Sequence, residues 1–429
     1  MKLDWPSFSP SKDVTEHPML HTSTARLAWL ILTQRLTAAG RWFAIPTLIF
    51  GTYGGISLQI QGYIVFSYFF AFWAIAAAAM LALRPKVRLK ALMAPRICAG
   101  QTLPIDVEIE QLGRLSQIDL VVLPHRLPQA VDADPDGGAA VPSLRKGQRT
   151  RVRLGLKCNK RGVYKLRGFR VECDYPFGLL RASRTFDDTR ALTVYPRFQP
   201  VGHITLPTGR RHHPGGVTMA SNLGESFEFV GDREFRDGDS THDIDWRATA
   251  RLSRPIVREY REEYFMRVAV ILDTYVQPKS TALEHDNFER AVSVAAGASD
   301  YLARQDYLVD IFAAGPNVYH LAAGRSLAYL DQILDILACV GENENEPFAV
   351  VEPQLMENLA QITTVICVLL DWNEPRRDFV RKIVSSGSAA KVIIVRDSPC
   401  TIDPSIDGNL LGRASIVSRQ QYEMGLERL

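Results

Sequence analysis

The chain of 429 residues lacks the short motifs that cradle phosphates or present a nucleophile. It contains no G-x-x-x-x-G-K-S/T, no G-x-G-x-x-G, no G-x-S-x-G and no H-E-x-x-H. The first absence excludes a P-loop ATPase, and the second argues against a Rossmann dehydrogenase. Cysteine is sparse: Cys98, Cys158, Cys173, Cys339, Cys367 and Cys400 are scattered, with no C-x-x-C pair. That excludes zinc ribbons and thioredoxin-type motifs and fits a reducing compartment. A basic excess is missing too. Fifty Lys and Arg against 47 Asp and Glu leave a net charge of +3, which argues against a dedicated nucleic-acid binder.

Length and apolar content are ample. At roughly 100–200 residues per domain the chain holds two or three domains, each large enough for its own core. From Trp42 to Leu83 there are 42 consecutive residues without Asp, Glu, Lys or Arg. One membrane span needs about 20 apolar residues, so this run predicts a two-span hairpin within residues 41–84. The first span is expected over Trp42–Ile56, with Pro46 inside, and the second over Tyr63–Leu83. The break falls in the polar stretch from Ser57 to Gly62. Arg26, Arg35 and Arg41 precede the hairpin, and Arg84, Lys86, Arg88 and Lys90 follow it. Positive charge stays inside, so both ends and everything after Leu83 are expected to be cytoplasmic. Residues 1–40 form an N-terminal segment whose first twenty residues look disordered.

Residues 85–202 show short alternating runs such as 103–110, 151–156 and 191–195, bounded by Gly, Pro and Asp. Period-two alternation at this spacing predicts a β-sandwich. Asp132–Gly138 reads as a loop, a solvated turn rather than a calcium site.

Charge density then doubles. From Glu225 to Glu263 eleven acids and seven bases fall within 39 residues, their signs interleaved. An EF-hand loop starting at Asp237 fails at His242, where glycine is required, and at Ala248, where glutamate is required. A second reading is catalytic: Asp239, Asp243 and Asp245 hold a divalent metal for hydrolysis, with His212 and His213 nearby. A third is structural, a buried lattice of arginines and carboxylates pinned by Trp246. A protein-binding surface is the fourth. The structural reading is preferred, with residues 203–264 taken as linker and charged motif.

Residues 265–400 alternate apolar strands (266–273, 307–312, 363–370, 391–395) with helical stretches (287–304, 326–340, 376–385). This predicts an α/β unit with a mostly parallel sheet, followed by a tail over 401–429. Ligands of such sheets lie at the carboxyl ends of the strands, where Asp273 and Asp371 fall.

Gly224, Arg233-Glu234-Phe235, Gly238-Asp239, Ile244-Asp245-Trp246, Ala250-Arg251 and Arg258-Glu259 together resemble the signature of the bacterial family called domain of unknown function 58. Phe235 stands for the usual tyrosine, and His242 for the usual arginine. Arg161-Gly-Val-Tyr164 and Asp174-Tyr-Pro-Phe-Gly-Leu179, with Tyr175 inserted, are similar to the family's sandwich pattern. The resemblance implies a hairpin, a sandwich and a domain like von Willebrand factor type A. It further implies a membrane-anchored adaptor for a MoxR-type AAA+ ATPase acting on client proteins, non-enzymatic and without a cofactor. A metal-dependent hydrolase on Asp239, Asp243 and Asp245 is the competing class. A working type A metal site would read Asp-x-Ser-x-Ser, whereas Asp273-Thr-Tyr-Val-Gln277 has lost both hydroxyls. Only Asp273 and Asp371 remain as metal candidates, so a metal-free pocket is expected. The motif residues Arg233, Glu234, Gly238, Asp239, Asp245, Trp246, Arg251, Arg258 and Glu259 are then structural or partner-binding.

Overall fold

The computed structural model describes residues 35–57, 60–134, 138–207, 227–236, 239, 241–262, 267–277, 280–314, 318–324, 327–344, 348–408 and 414–429. Two compact units divide the chain, Met1–Arg197 and Phe198–Leu429.

In the first unit, helix α1 (Ala38–Ser57) and helix α2 (Ile60–Ala82) form an antiparallel hairpin whose break falls in the expected polar stretch. Phe43 meets Phe69, Phe72 and Trp73 with ring centroids 5.1–5.9 Å apart. Near the turn Gly54 lies against Gly62, where a Cβ on Gly62 would come within 3.1 Å of the Gly54 Cα. The Trp73 Nε1–H donates to Thr47 Oγ1 at 3.2 Å, so the hairpin satisfies that indole internally. Two spans were expected. By length and composition α2 meets the requirement for crossing a membrane and α1 does not. The difference follows from Arg41 near the start of α1, Pro46, and its polar and glycine positions. The expected N-terminal segment ends earlier than residue 40: Leu36 bridges Leu180 and α1 begins at Ala38. Residues 1–34 lie outside the described residues.

Two sheets follow. One has strand order β1 (Val87–Met93), β3 (Thr102–Gln111), β7 (Arg149–Cys158), β5 (Val131–Ala133). The other runs β2 (Arg96–Cys98), β9 (Ala182–Tyr195), β8 (Gly162–Cys173), β4 (Gln117–Pro124), β6 (Ala139–Leu144). Alternation decides the inward face: Leu103, Ile105, Val107 and Ile109 of β3 are buried, while Asp106 and Glu108 between them are not. Both sheets bury side chains in one shared core, the arrangement of a sandwich. Asp132 and Ala133, expected in a loop, lie in β5, because Asp132 pairs with Lys157 of β7. The sandwich ends by Arg197 rather than at 202; Val201 and Ile204 are buried in the second unit.

The second unit carries a two-stranded antiparallel ladder of β10 (Phe227–Glu234) and β11 (Ile256–Glu262), with helix α3 (Trp246–Leu252) between them. Its sheet has the order β14 (Val318–Gly324), β13 (Leu308–Ala314), β12 (Arg267–Leu272), β15 (Thr364–Leu369), β16 (Ala389–Val395), β17 (Ser415–Val417). All neighbours are parallel except β13 and β14. The central strands are apolar runs buried on both faces, as parallel sheets require. Helix α4 (Ala282–Arg304) packs against β12, β13 and β15. It starts with a capping box in which the Thr281 amide donates to Glu284 Oε2 at 3.0 Å. Helices α5 (Leu327–Cys339), α6 (Phe348–Asn358) and α7 (Glu374–Ser385) complete the described layers. Residues 401–429, expected as a tail, supply the edge strand β17 and helix α8 (Arg419–Met424). They also bury Leu426 and Leu429, and the Leu429 amide donates to His203 O at 2.9 Å. Three residues of strand are too short to announce themselves by alternation.

Candidate functional site

Two places hold the sequence-derived candidates. In the charged motif, β10 and β11 set Asp232 opposite Arg258 and Arg233 opposite Val257. Arg233 grips Asp239 with both terminal nitrogens, Nη1 to Oδ2 at 2.7 Å and Nη2 to Oδ1 at 2.8 Å. The Arg236 amide adds a 2.8 Å bond to the same carboxylate. These contacts, the Arg233 bonds first, hold the Asp239 carboxyl down at about 2. Asp245 caps α3, accepting from the Arg247 amide at 2.9 Å and the Ala248 amide at 3.0 Å. Its other oxygen takes Arg258 Nε at 3.0 Å. The Ala248 amide and then Arg258 lower its pKa. Glu234 pairs with Arg254, and Thr249 Oγ1 accepts from the Ile256 amide, tying the helix to β11.

The buried lattice pinned by Trp246 is overturned. Trp246 is 70% exposed and Arg251 is exposed as well. The cause is local: Asp245 is the cap, so Trp246 is the first helical residue, and the described side chain this short helix buries is Ala248. Of the three carboxylates Asp239, Asp243 and Asp245, the first and last each face an arginine. Among the described residues no group of three His, Cys, Asp or Glu is placed to hold a metal. Gly224, Gly238, His212, His213 and the side chains of Asp243 and Glu259 lie outside the described residues.

The second place is the carboxyl edge of the large sheet. Asp273 follows β12 directly and is fully buried. Its Oδ2 accepts from Arg376 Nε at 2.6 Å and from the Leu370 amide at 3.0 Å; its Oδ1 accepts from the Tyr275 amide at 3.1 Å. Asp371, after β15, accepts from the Trp372 and Thr401 amides at 2.8 and 3.0 Å and pairs with Arg396 at 3.1 Å. Asp397, after β16, pairs with Arg290 of α4, whose bonds lower its pKa. Each strand-end aspartate is therefore matched by a guanidinium. A cation at Asp273 would have to displace Arg376, whose charge already occupies that position.

Asp371, Arg376 and Arg396 border a cleft lined also by Tyr275, Glu284, Asn287 and Asn373. The oxygens of Asp273 and Asp371 are engaged, and the buried Arg376 guanidinium lies over the Tyr275 ring at 5.9 Å. Asn373 caps α7 and Thr281 caps α4, so two helix N-termini add positive potential near the edge. The sequence reading found Asp273 and Asp371 but missed Arg376, Arg396, Arg290 and Asp397. A visible signal for Asp397 was its place two residues beyond an apolar strand, the position Asp371 also has.

Residues 231–320 match the family described as Protein of unknown function DUF58. That stretch runs from the charged ladder through β12, α4 and β13, and takes in Asp273 but not Arg376. A curated relative, the uncharacterized protein YeaD of Bacillus subtilis, is 24% identical over 264 residues. The similarity covers 59% of this chain and 63% of YeaD, so the chain spans less than two thirds of that relative's length. Among solved structures, Escherichia coli alpha-2-macroglobulin from domain MG7 to its C-terminus is 18% identical, with a TM-score of 0.22. It covers 30% of this chain and 20% of that one. The CARDB domain of a Pyrococcus furiosus protein is 12% identical over 26% of this chain and 94% of its own, with a TM-score of 0.18. Likeness at that level bears on neither fold nor function.

Proposed function

We propose that the protein is a membrane-anchored, non-enzymatic adaptor at the cytoplasmic face of the bacterial inner membrane. In this reading it presents client proteins to a MoxR-type AAA+ ATPase. The observation that carries it is the exposure of Trp246 on a frame that is itself fixed. Asp245 and Arg258 hold the helix start, and Arg233 and Asp239 hold the turn before it. A large aromatic held rigidly in water contributes little to its own fold, whereas tryptophan is among the residues that dominate partner binding when covered. Exposed Leu252 and Arg251 share that short helix.

The strand-end cleft supports the same reading. The α/β unit is taken as similar to von Willebrand factor type A domains, with Arg376 in the place where such domains keep a metal. Arg376 and Arg396 neutralise the strand-end aspartates there without a divalent ion. The chain has no phosphate-binding motif, so any energy-driven cycle depends on a partner in trans. A hydrolytic centre on Asp239, Asp243 and Asp245 would need those carboxylates turned to one ion, and two of them are turned to arginines.

The test is affinity purification of the full chain from crosslinked cells. A MoxR-type ATPase should be recovered, more strongly at low salt and with nucleotide bound, because mixed-charge surfaces associate in a salt-sensitive way. Recovery of no ATPase, together with substrate turnover by the purified protein alone, would replace the adaptor with an enzyme.

A further inference from the structure

The Asp174–Leu179 loop joins β8 to β9 and is the sandwich motif that the adaptor reading leaves without a role. Its two aromatic side chains are unburied: Tyr175 is 41% exposed and Phe177 40%. The loop is tied to the hairpin. The Thr37 amide donates to Leu179 O at 3.1 Å, the Thr37 hydroxyl to Gly178 O, and the Arg181 amide to Arg35 O at 2.7 Å. A Cβ on Gly40 would collide with the Leu179 carbonyl oxygen, so α1 approaches the loop as closely as backbone allows. Further along the hairpin, Phe177 meets Phe72 edge-on with ring centroids 4.9 Å apart.

Phe72 is not at the end of its helix. Met80 packs against the sandwich core, and eight residues of α-helix separate it from Phe72, about 12 Å of rise. The loop therefore reaches about 12 Å along α2 beyond the point where the helix meets the body of the sandwich. From Phe72 to the far end of α2 at Ile60 the rise is only about 18 Å. A hydrocarbon core is about 30 Å thick, so a core that starts at Ile60 extends about 12 Å past Phe72, to the level of Met80. It then encloses the ring of Phe177. Arg41, two residues from Phe43 toward the sandwich, has a stem long enough to snorkel to the headgroups.

We propose that this loop is a lipid-inserting tip: Tyr175 and Phe177 lie in the apolar layer of the bilayer beside α2 and hold the sandwich against the membrane. The proposal rests on α2 being a membrane span but not on the ATPase partnership. Its occupant is lipid, by continuity with the exposed apolar surface of the hairpin, where Tyr68 and Phe70 are 73% and 64% exposed.

The test places the photocrosslinker benzoylphenylalanine at single positions of the full chain, reconstituted in phosphatidylglycerol and phosphatidylethanolamine vesicles. Position 177 is the probe. Position 70 reports on the helix, and position 163, where Val163 is 52% exposed at the far end of β8, reports on the sandwich surface. Phospholipid adducts at 177 and 70, with none at 163, are expected. Adducts at 70 without any at 177 would overturn the inserting tip and leave the membrane span standing. No adduct at 70 would overturn both. Unchanged melting of each variant would show that the probe left the fold intact.

Discussion

The second unit uses one pairing, aspartate with arginine, in two settings. Between Asp273 and Arg376 it is sealed: the two side chains are 0% and 5% exposed. Between Asp245 and Arg258 it is open, with 15% and 49%. The sealed pair takes two charges out of water, so removing one partner strands the other at high cost. The open pair is screened by solvent and mainly orients the helix that displays Trp246. The same chemistry thus locks a strand-end edge in one place and frames a surface in the other.

The largest effect should come from breaking the sealed pair. Arg376→Ala leaves a buried, unpaired Asp273 and should cost about 3–5 kcal/mol in urea unfolding followed by buried Trp372. Asp273→Leu combined with Arg376→Met should recover most of that loss, since apolar replacements of buried pairs are often neutral. A small loss for the single variant would mean that water reaches Asp273 and that the two settings do not differ.

Acid should act on the open pairs. The folded pKa of Asp239 is lowered from 3.8 to about 2, so its contribution is complete above pH 3.8 and is lost as pH falls through 2. Amide exchange in β10 and β11 should stay protected from pH 7 to 4 and accelerate below that. Asp239→Asn should weaken protection already at pH 7 and blunt the acid step. Chelation should move less: with Arg376 on Asp273, EDTA is expected to leave the melting temperature unchanged. A drop of several degrees reversed by magnesium would show a metal displacing the guanidinium. The smallest effect on stability belongs to Trp246→Ala, within about 0.5 kcal/mol, as for surface substitutions in general.

Several of these features were legible in the residues. The uncharged run marked the hairpin, alternation in 103–110 marked β3 with its inward face, and the apolar strands ending near Asp273 and Asp371 marked the sheet's carboxyl edge. Pairing across long separations was not legible. Asp273 and Arg376 are 103 residues apart, and nothing local to either names the other. Trp246 misled because a tryptophan among charges suggests a buried pin, whereas its position directly after a capping aspartate puts it at an exposed helix start. The strand 415–417 was hidden by its brevity and by the polar residues around it.

One measurement bears most directly on the adaptor. The full chain and its Trp246→Ala variant are used as bait for a MoxR-type ATPase in crosslinked cells, alongside their unfolding curves. Trp246→Ala should unfold like the parent but lose the ATPase. Undiminished recovery with Trp246→Ala, or a variant that fails to fold, would contradict the adaptor reading.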